Sequence, residues 1–170
     1  MKSIIVVGLA LLLPCVAQNA LAGDGAVTFV DVEKFTDILS GDESPADAQK
    51  TVRKEFARIF SRLGKKLPDG YQLEVSVTDI DLAGAVRYNL TQSAQNLRVV
   101  KETDWPRIKF SYTIKDASQH VLASGTEDLR DLDFAIKTNT SNSEFKYEEQ
   151  MLKDWFRRQQ SVQQISLNRK

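Results

Sequence analysis

The sequence contains few of the residues that build disulfides, metal sites and catalytic triads. Among its 170 residues it has one cysteine and one histidine, with 8 glycines and 4 prolines. One cysteine cannot form an internal disulfide, and a histidine-based zinc site or a Ser-His-Asp triad would depend on His120 alone. The sequence also lacks the glycine-rich loops that bind phosphate groups and the G-x-S-x-G nucleophile motif. None of these classes of enzyme is therefore indicated.

An excess of charge of either sign is also absent. The chain has 23 Lys and Arg against 23 Asp and Glu. A balanced chain has no overall attraction for nucleic acid or anionic lipid, so we expect no nucleic-acid partner. Its 42% hydrophobic and 27% charged residues are typical of a globular domain rather than a disordered chain. The length predicts one domain.

The longest apolar run lies at the N-terminus and is too short to cross a membrane. Residues 4–13 would extend about 15 Å as a helix, half of the roughly 30 Å hydrocarbon core of a bilayer. Ala20 and Ala22 place small residues at the −3 and −1 positions of a signal-peptidase site. We therefore predict a signal peptide over residues 1–22, cleavage between Ala22 and Gly23, and a periplasmic mature protein without an integral membrane segment.

The single cysteine falls inside this predicted leader. Bacterial lipidation requires a small residue before the modified cysteine, but Pro14 precedes Cys15, so a lipoprotein is not favoured. After cleavage the mature chain has no thiol. Thiolate catalysis and cysteine-based metal sites are then excluded.

The first half of the mature chain predicts a strand, a helix and a second strand. Residues 27–32 are rich in β-branched residues, as in a strand. Ser44 as N-cap, Pro45 and Asp47 form a helix start, and apolar residues then recur at helical spacing as far as Gly64, which suits the C-terminal cap. A strand of alternating polarity follows. This order predicts a right-handed βαβ unit with two parallel strands.

The exposed side of the predicted helix is basic. Lys50, Arg53, Lys54 and Arg58 lie opposite the apolar stripe, with Glu55 among them. Such a face can contact phosphate groups or anionic lipid, but an ordinary solvated helix has a similar surface. Glu55 and the neutral net charge favour the solvated surface.

The second half of the chain predicts a hairpin and a final helix. Residues 106–114 alternate in polarity, a turn cluster follows, and residues 121–124 return as the partner strand. Ser141, with Glu144 three residues later, has the pattern of a capping box at the start of the last helix. The predicted fold class is α+β: a two-layer sandwich in the order β-α-β-β-β-α, with a mixed, mostly antiparallel sheet and two helices packed on one face.

Two acidic segments and an Asp-Trp pair contain the candidate functional residues. The first acidic segment, with Asp79 and Asp81, ends the second strand. Alternate residues of a strand point to the same side, so these two carboxylates lie together. The other acidic segment follows the hairpin, and the Asp-Trp pair precedes it. The candidate binding residues are Asp79, Asp81, Asp104, Trp105, Asp128 and Asp131.

These residues have a chemical and a structural interpretation. If the acidic segments meet, their carboxylates can bind Ca²⁺ or Mg²⁺, or raise one carboxyl pKa for general acid–base catalysis. Alternatively, aspartates at strand ends cap turns, and Arg87, Arg98, Arg107 and Arg130 are near enough in sequence to pair with them. Because no ion-binding loop spacing is present, we favour the structural interpretation and expect no cofactor.

Several short motifs follow one another in a recognisable order. They are Thr28-Phe29-Val30-Asp31, Phe35-Thr36-Asp37, the run from Val77 to Gly84, the run from Asp104 to Ile108, the run from Val121 to Gly125, Tyr147-Glu148, and Asp154-Trp155-Phe156. With these motifs the chain resembles DUF3016, a proteobacterial family of exported proteins of unknown function. The resemblance covers nearly all of residues 26–157. It implies a periplasmic single-domain protein and carries over no activity.

Two functions are compatible with these observations. We favour a non-catalytic module of the cell envelope that binds an envelope protein or a cell-wall component through an exposed sheet edge or face. The alternative is a metal-dependent or acid-catalysed hydrolase that uses Asp79 and Asp81. A carrier of a small apolar ligand would instead need a large internal pocket. In each case we expect residues 23–160 to form the domain and residues 161–170 to form a flexible C-terminal tail.

Overall fold

The structure is a computed structural model that describes residues 24–89, 95–139 and 141–167. The predicted signal peptide and its cleavage site lie outside the described residues. The elements in chain order are β1 (Asp24–Phe29), a 3₁₀ turn (Val32–Lys34), α1 (Pro45–Gly64), β2 (Gln72–Asp81), β3 (Ala85–Arg87), β4 (Leu97–Val99), β5 (Arg107–Lys115), β6 (Val121–Arg130) and α2 (Lys146–Leu167).

One four-stranded sheet, in the order β1-β2-β5-β6, organises the fold. β1 and β2 are parallel and are joined through α1, whereas β2, β5 and β6 are antiparallel neighbours. β3 and β4 form a separate two-stranded hairpin between β2 and β5. The mixed sheet and two helices confirm the predicted α+β class.

Both helices pack on the same face of the sheet. Phe60 of α1 and Trp155 of α2 both contact the ring of Phe110 on β5, at centroid distances of 5.8 and 4.9 Å. All three side chains are fully buried. We call the opposite side of the sheet the open face, because no described element covers it.

The start of α1 follows the sequence prediction. The Ser44 hydroxyl accepts a hydrogen bond from the backbone N–H of Asp47 at 3.2 Å and donates to the Asp47 carboxylate at 2.7 Å. Pro45 is the first helical residue, where its missing N–H costs no hydrogen bond. The predicted apolar stripe of the helix is buried.

Gly64 has a different role from the predicted cap. It is the last residue of α1, and Lys65 follows it as the C-cap in the right-handed helical conformation. A Cβ atom on Gly64 would lie 2.3 Å from the backbone nitrogen of Gly25, and one on Gly25 would lie 2.3 Å from the carbonyl oxygen of Phe60. The two glycines therefore allow the backbone of α1 to lie directly against β1.

Two strands differ from their predicted bounds. β1 begins at Asp24 and ends before Asp31, whose left-handed backbone with a φ of 50° turns the chain out of the strand. β6 continues to Arg130 instead of ending at Ser124. The expectation that Asp128 follows the hairpin is therefore wrong, because Asp128 lies on β6 itself.

The predicted capping box at Ser141 is also wrong, because α2 begins at Lys146. The backbone N–H of Ser141 donates instead to the Asn139 side chain at 2.9 Å. Its hydroxyl donates to Glu149 at 3.4 Å. These bonds shape the loop before the helix. At its other end α2 continues to Leu167, within the segment where the sequence predicts a tail.

Candidate functional site

The last residues of β2 bring several predicted site residues to one end of the open face. The register between β2 and β5 shifts at Thr78, an extra residue that forms a bulge. After the bulge Asp79 lies opposite Lys109, and Asp81 lies opposite Arg107. We call the following six side chains the charged end: Asp79, Asp81, Arg107, Lys109, Asp128 and Arg130.

Asp79 is held as an anion by donors from two neighbouring segments. Its carboxylate accepts hydrogen bonds from the backbone N–H and the hydroxyl of Thr36, both at 2.9 Å, and Lys109 lies 3.3 Å away. Partial burial alone would raise the pKa of Asp79, but the hydrogen bonds from Thr36 and Lys109 outweigh it and lower this pKa. Asp79 therefore fastens the segment after the 3₁₀ turn to β2, and it is poorly suited to donate a proton.

Asp81 differs from Asp79 because no described residue donates a hydrogen bond to its carboxylate. Burial raises the pKa of Asp81, and the negative charges of Asp37 and Asp79 raise it further. The nearby cations Arg98 and Arg107 oppose this shift without cancelling it. Of the predicted site residues, Asp81 is the one whose charge the fold disfavours.

Arg107 connects the two acidic segments. Its Nε and Nη2 atoms donate to the two oxygens of Asp128, both at 2.6 Å, in a bidentate ion pair. This pair, with help from Arg130, lowers the pKa of Asp128 well below its ordinary value. Asp79 and Asp81 act on Arg107 from the other side and help to raise its pKa. The acidic segments thus converge, but they converge on a cation of the protein.

The remaining candidates lie apart from the charged end. Asp131 is buried and accepts two hydrogen bonds of 2.7 Å from Lys137. Asp104 lies 3.8 Å from Arg87, and its buried Oδ2 has no hydrogen bond in the described part of the chain. The arginines that the sequence suggested as partners are therefore engaged with aspartates.

The two tryptophans are not open platforms for a ligand. Trp105 is half-buried, and the guanidinium of Arg130 lies 5.5 Å above its ring. Trp155 is 1% exposed, and its indole N–H donates to Glu127 at 3.0 Å. Trp155 is therefore a core residue.

The carboxylates do not form a metal centre in the part of the structure that is described. Within residues 24–89, 95–139 and 141–167, no group of three or more His, Cys, Asp and Glu side chains is arranged to hold a metal ion. The cations Lys109 and Arg107 occupy the positions beside the carboxylates. The charged end gives no support to a hydrolase.

Sequence reasoning missed the importance of Arg98, on β4. Its guanidinium, 12% exposed, donates to the carbonyl oxygen of Leu39 at 2.8 Å and to the carboxylate of Asp37 at 2.6 Å. It also donates to three successive carbonyl oxygens in residues 82–84, at 3.2, 3.3 and 2.8 Å. Arg98 therefore fastens the β3–β4 hairpin to the end of β2 and to the segment before α1. We call this set of hydrogen bonds the arginine latch.

Glu148 appears in the sequence analysis only within the Tyr147-Glu148 motif, without a predicted role. It lies in the first turn of α2, is 2% exposed, and accepts a hydrogen bond from the backbone N–H of Ala83 at 2.7 Å. Burial raises the pKa of Glu148, against the effect of its hydrogen bonds. The adjoining cavity of about 40 Å³ is the size of one or two water molecules. The signal was available, since Glu148 shares the helical face of Leu152 and Trp155.

The outer edge of β6 has unpaired backbone groups. The N–H of Asp131 donates to the carbonyl oxygen of Pro106 at 3.3 Å, and this bond fixes the alternation of the β5–β6 ladder. With the observed register, odd-numbered residues 123–129 bond to β5, and even-numbered residues 124–130 direct their N–H and C=O groups outward. No hydrogen bond within the described part of the chain reaches these outward groups.

The middle of the open face carries short hydroxyl side chains. Thr28, Ser76, Ser111 and Thr126 stand opposite one another across the four strands. A sheet face of this kind is stable in water without a cover. The depression over it is open to solvent, whereas a carrier of an apolar ligand requires an enclosed apolar pocket.

Comparison with known proteins identifies the family of the chain. Within the described residues, no helix combines the length and the apolar character needed to cross a bilayer. The search of curated proteins and the search of solved structures both gave no match. The sequence model of a family described as "Protein of unknown function (DUF3016)" matches residues 23–158, which is most of the chain. The chain therefore belongs to the DUF3016 family.

Proposed function

We propose that this protein is an exported, non-catalytic binding module, and that a protein of the cell envelope adds an extended segment to the outer edge of β6. The observation that carries the proposal is the row of unpaired backbone groups at residues 124–130. An extended peptide on such an edge gains main-chain hydrogen bonds along its length. Its alternate side chains then contact the two faces of the sheet and give specificity.

The middle of β6 offers little steric resistance to a fifth strand. Residues 123–126 read Ala-Ser-Gly-Thr, so four successive side chains are small. Proteins usually protect a free edge with charged side chains, especially lysine, or with proline, and residues 121–126 of β6 contain none of these. At its start, Val121 and Leu122 are 58% and 40% exposed and offer apolar contact to an incoming segment.

Export is supported by the agreement between the leader pattern and the start of the domain. The family match begins at residue 23, directly after the predicted cleavage site that follows Ala22. The segment ahead of the family match therefore coincides with the predicted signal peptide.

A non-catalytic role is favoured over hydrolysis by the state of the carboxylates. Asp79 and Asp128 have lowered pKa values because cations and N–H or O–H donors hold them as anions. An anion held in this way is a poor general acid and a poor base. Asp81 has a raised pKa, but Arg107 lies opposite it in the sheet.

A single substitution on β6 tests the proposal. Thr126→Pro removes an outward N–H and leaves the hydrogen bonds of the β5–β6 ladder in place, because proline is tolerated at such edge positions. Thr126→Ala is the matched control, since it removes the side chain and keeps the N–H. Wild-type protein and T126A, immobilised after expression of the full chain, should retain the same proteins from a detergent-solubilised envelope extract. T126P should bind the isolated partner at least about tenfold more weakly.

Amide hydrogen exchange measures the edge directly. In the free protein the amides of Ser124, Thr126 and Asp128 should exchange faster than their odd-numbered neighbours, and the bound partner should slow them. Equal binding by T126P and wild type, or unchanged exchange at these amides in the complex, contradicts strand addition. A dimer that T126P dissociates also contradicts it, because the occupant would then be a second copy of the chain.

A further inference from the structure

The helical layer contains a concentration of positive charge that the proposed function does not use. Residues 50–66 contain seven Lys and Arg and one Glu. Since the whole chain has 23 basic and 23 acidic residues, the remainder has 16 basic and 22 acidic ones. The charge of this neutral protein is therefore divided, with the positive excess on α1 and the turn after it.

All seven basic side chains are exposed, and together they form a surface that we call the basic stripe. Its members are Lys50, Arg53, Lys54, Arg58, Arg62, Lys65 and Lys66. At 1.5 Å of rise per residue the stripe extends roughly 21 Å along the helix as far as Gly64, and Lys65 and Lys66 continue it in the following turn. The apolar stripe on the other side of α1 is buried in the core, so the helix cannot turn an apolar face outward.

Most of the stripe is not neutralised by the protein itself. Arg58 pairs with Glu55 at 2.6 Å, and Arg62 pairs with Glu149 at 3.0 Å. The four lysines of the stripe form no ion pair with any residue in the described ranges. An ordinary solvated helix mixes charges of both signs more evenly, whereas residues 50–66 carry seven cations against the single acidic residue Glu55.

α2 extends the positive surface beside α1. The Glu149 carboxylate, 4% exposed, accepts from Arg62 of α1 and from Lys153 of α2, at 3.0 and 2.8 Å. The two cations therefore lie side by side over one buried anion. Arg157 and Arg158, both exposed, follow one turn later on α2.

We propose that the protein docks through the basic stripe on the anionic surface of a phospholipid bilayer. The stripe is long and cationic, which suits a surface of negatively charged headgroups. Residues 50–66 expose no aromatic side chain on which a nucleic-acid base can stack. Because no apolar side chain inserts, attachment is electrostatic, reversible and weakened by salt.

Docking in this way is compatible with strand addition and independent of it. α1 packs on β1 and β2, and β1 lies at the opposite edge of the sheet from β6. The outer edge of β6 therefore remains accessible when the stripe faces a membrane. If the predicted leader exports the protein, the domain lies next to bilayers that contain anionic lipid.

Sedimentation with lipid vesicles tests the proposal on the full chain. Wild-type protein should bind phosphatidylcholine vesicles containing about one third phosphatidylglycerol at about 0.05 M salt, and should be released at about 0.5 M salt. It should not bind vesicles of pure phosphatidylcholine. Lys50→Gln, Lys54→Gln and Lys65→Gln together should weaken partition about 100-fold, because each cation contributes roughly fivefold near an anionic surface.

A second triple variant controls for net charge. Lys34→Gln, Lys101→Gln and Lys115→Gln remove the same charge away from the stripe and should change partition by less than about threefold. Absence of wild-type binding to anionic vesicles, or equal loss in both triple variants, overturns the proposal. The membrane assignment is overturned if wild-type protein binds duplex DNA as tightly as vesicles and the stripe variant loses both. The stripe would then be a general polyanion site. T126P keeps the stripe, so vesicle binding by that variant separates this proposal from strand addition.

Discussion

The arginine latch allows one prediction to be worked through quantitatively. Arg98→Ala removes the donor to Asp37 and to the carbonyl oxygens of Leu39 and residues 82–84. The guanidinium is nearly buried, with 12% of the side chain exposed, whereas Asp37 is 30% exposed. The variant therefore leaves several acceptors without a partner in a place that water reaches in part.

The expected loss follows from the burial of the pair. Removing one partner of a buried ion pair costs about 3–5 kcal/mol. Because water can solvate part of the Asp37 carboxylate, we expect the lower end of this range, about 3 kcal/mol in the free energy of unfolding. Arg98→Lys keeps the positive charge, but one ammonium cannot replace the planar fork, so we expect a loss of about 1–2 kcal/mol.

Urea unfolding followed by the fluorescence of the two tryptophans, of which Trp155 is buried in the core, measures these losses. With a slope of about 1–3 kcal/mol per molar urea, a loss of about 3 kcal/mol in Arg98→Ala should lower the midpoint by roughly 1–3 M. Arg87→Ala is the control, because its ion pair is 3.8 Å long and its side chain is 45% exposed. We expect that control to lose less than about 1 kcal/mol. A loss below about 1 kcal/mol for Arg98→Ala, or full stability in Arg98→Lys, would refute the reasoning.

Two further predictions concern Asp81 and the contact between Gly25 and Gly64. The folded state raises the pKa of Asp81, so the carboxyl favours folding below its unfolded pKa and loses that contribution as pH rises through the folded value. Asp81→Asn should therefore be more stable than wild type at pH 7, by some tenths of a kcal/mol up to about 1 kcal/mol. This advantage should vanish below about pH 3. Thermal unfolding at several pH values measures it, and a stability difference that stays constant from pH 7 to about pH 3 would contradict the prediction. Gly64→Ala places a Cβ atom 2.3 Å from the backbone of Gly25. We expect this variant to lose at least about 2 kcal/mol in the free energy of unfolding, measured with urea. Ser61→Ala on the same helix is the control and should be neutral within about 0.5 kcal/mol. Equal stability of the two helix variants would show that α1 and β1 can separate without cost.

The features that the sequence predicts well have local causes. Ser44, Pro45 and Asp47 are consecutive or nearly so, and the capping bonds they form do not depend on the rest of the fold. The same local pattern misleads at Ser141, because Asn139 and Glu149 take up its hydrogen-bonding groups instead. A capping motif therefore predicts a helix start where no competing partner lies nearby.

The features that the sequence does not predict depend on residues far apart in the chain. Arg98 binds the segment before α1 and the end of β2, and no spacing rule relates these segments to β4. The sequence predicts too short a β6 for a different reason. It is an edge strand with polar residues on both sides, so Glu127 and Asp128 break the alternation on which strand prediction depends. The sequence places Asp79, Asp81 and Asp128 within reach of several cations, but the pairing of these aspartates with Arg107 and Lys109 follows from the sheet register.

The parallel pairing of β1 with β2 has a consequence for the order in which the protein can fold. Asp24 pairs with Gln72, so the first strand has no partner until the whole of α1 and the following turn are present. Pairing over such a distance must first close a long loop, which makes it slower than forming a hairpin. A chain drawn N-terminus first through a narrow channel would therefore carry its leading strand through unpaired, and its sheet would close after most of the chain had followed.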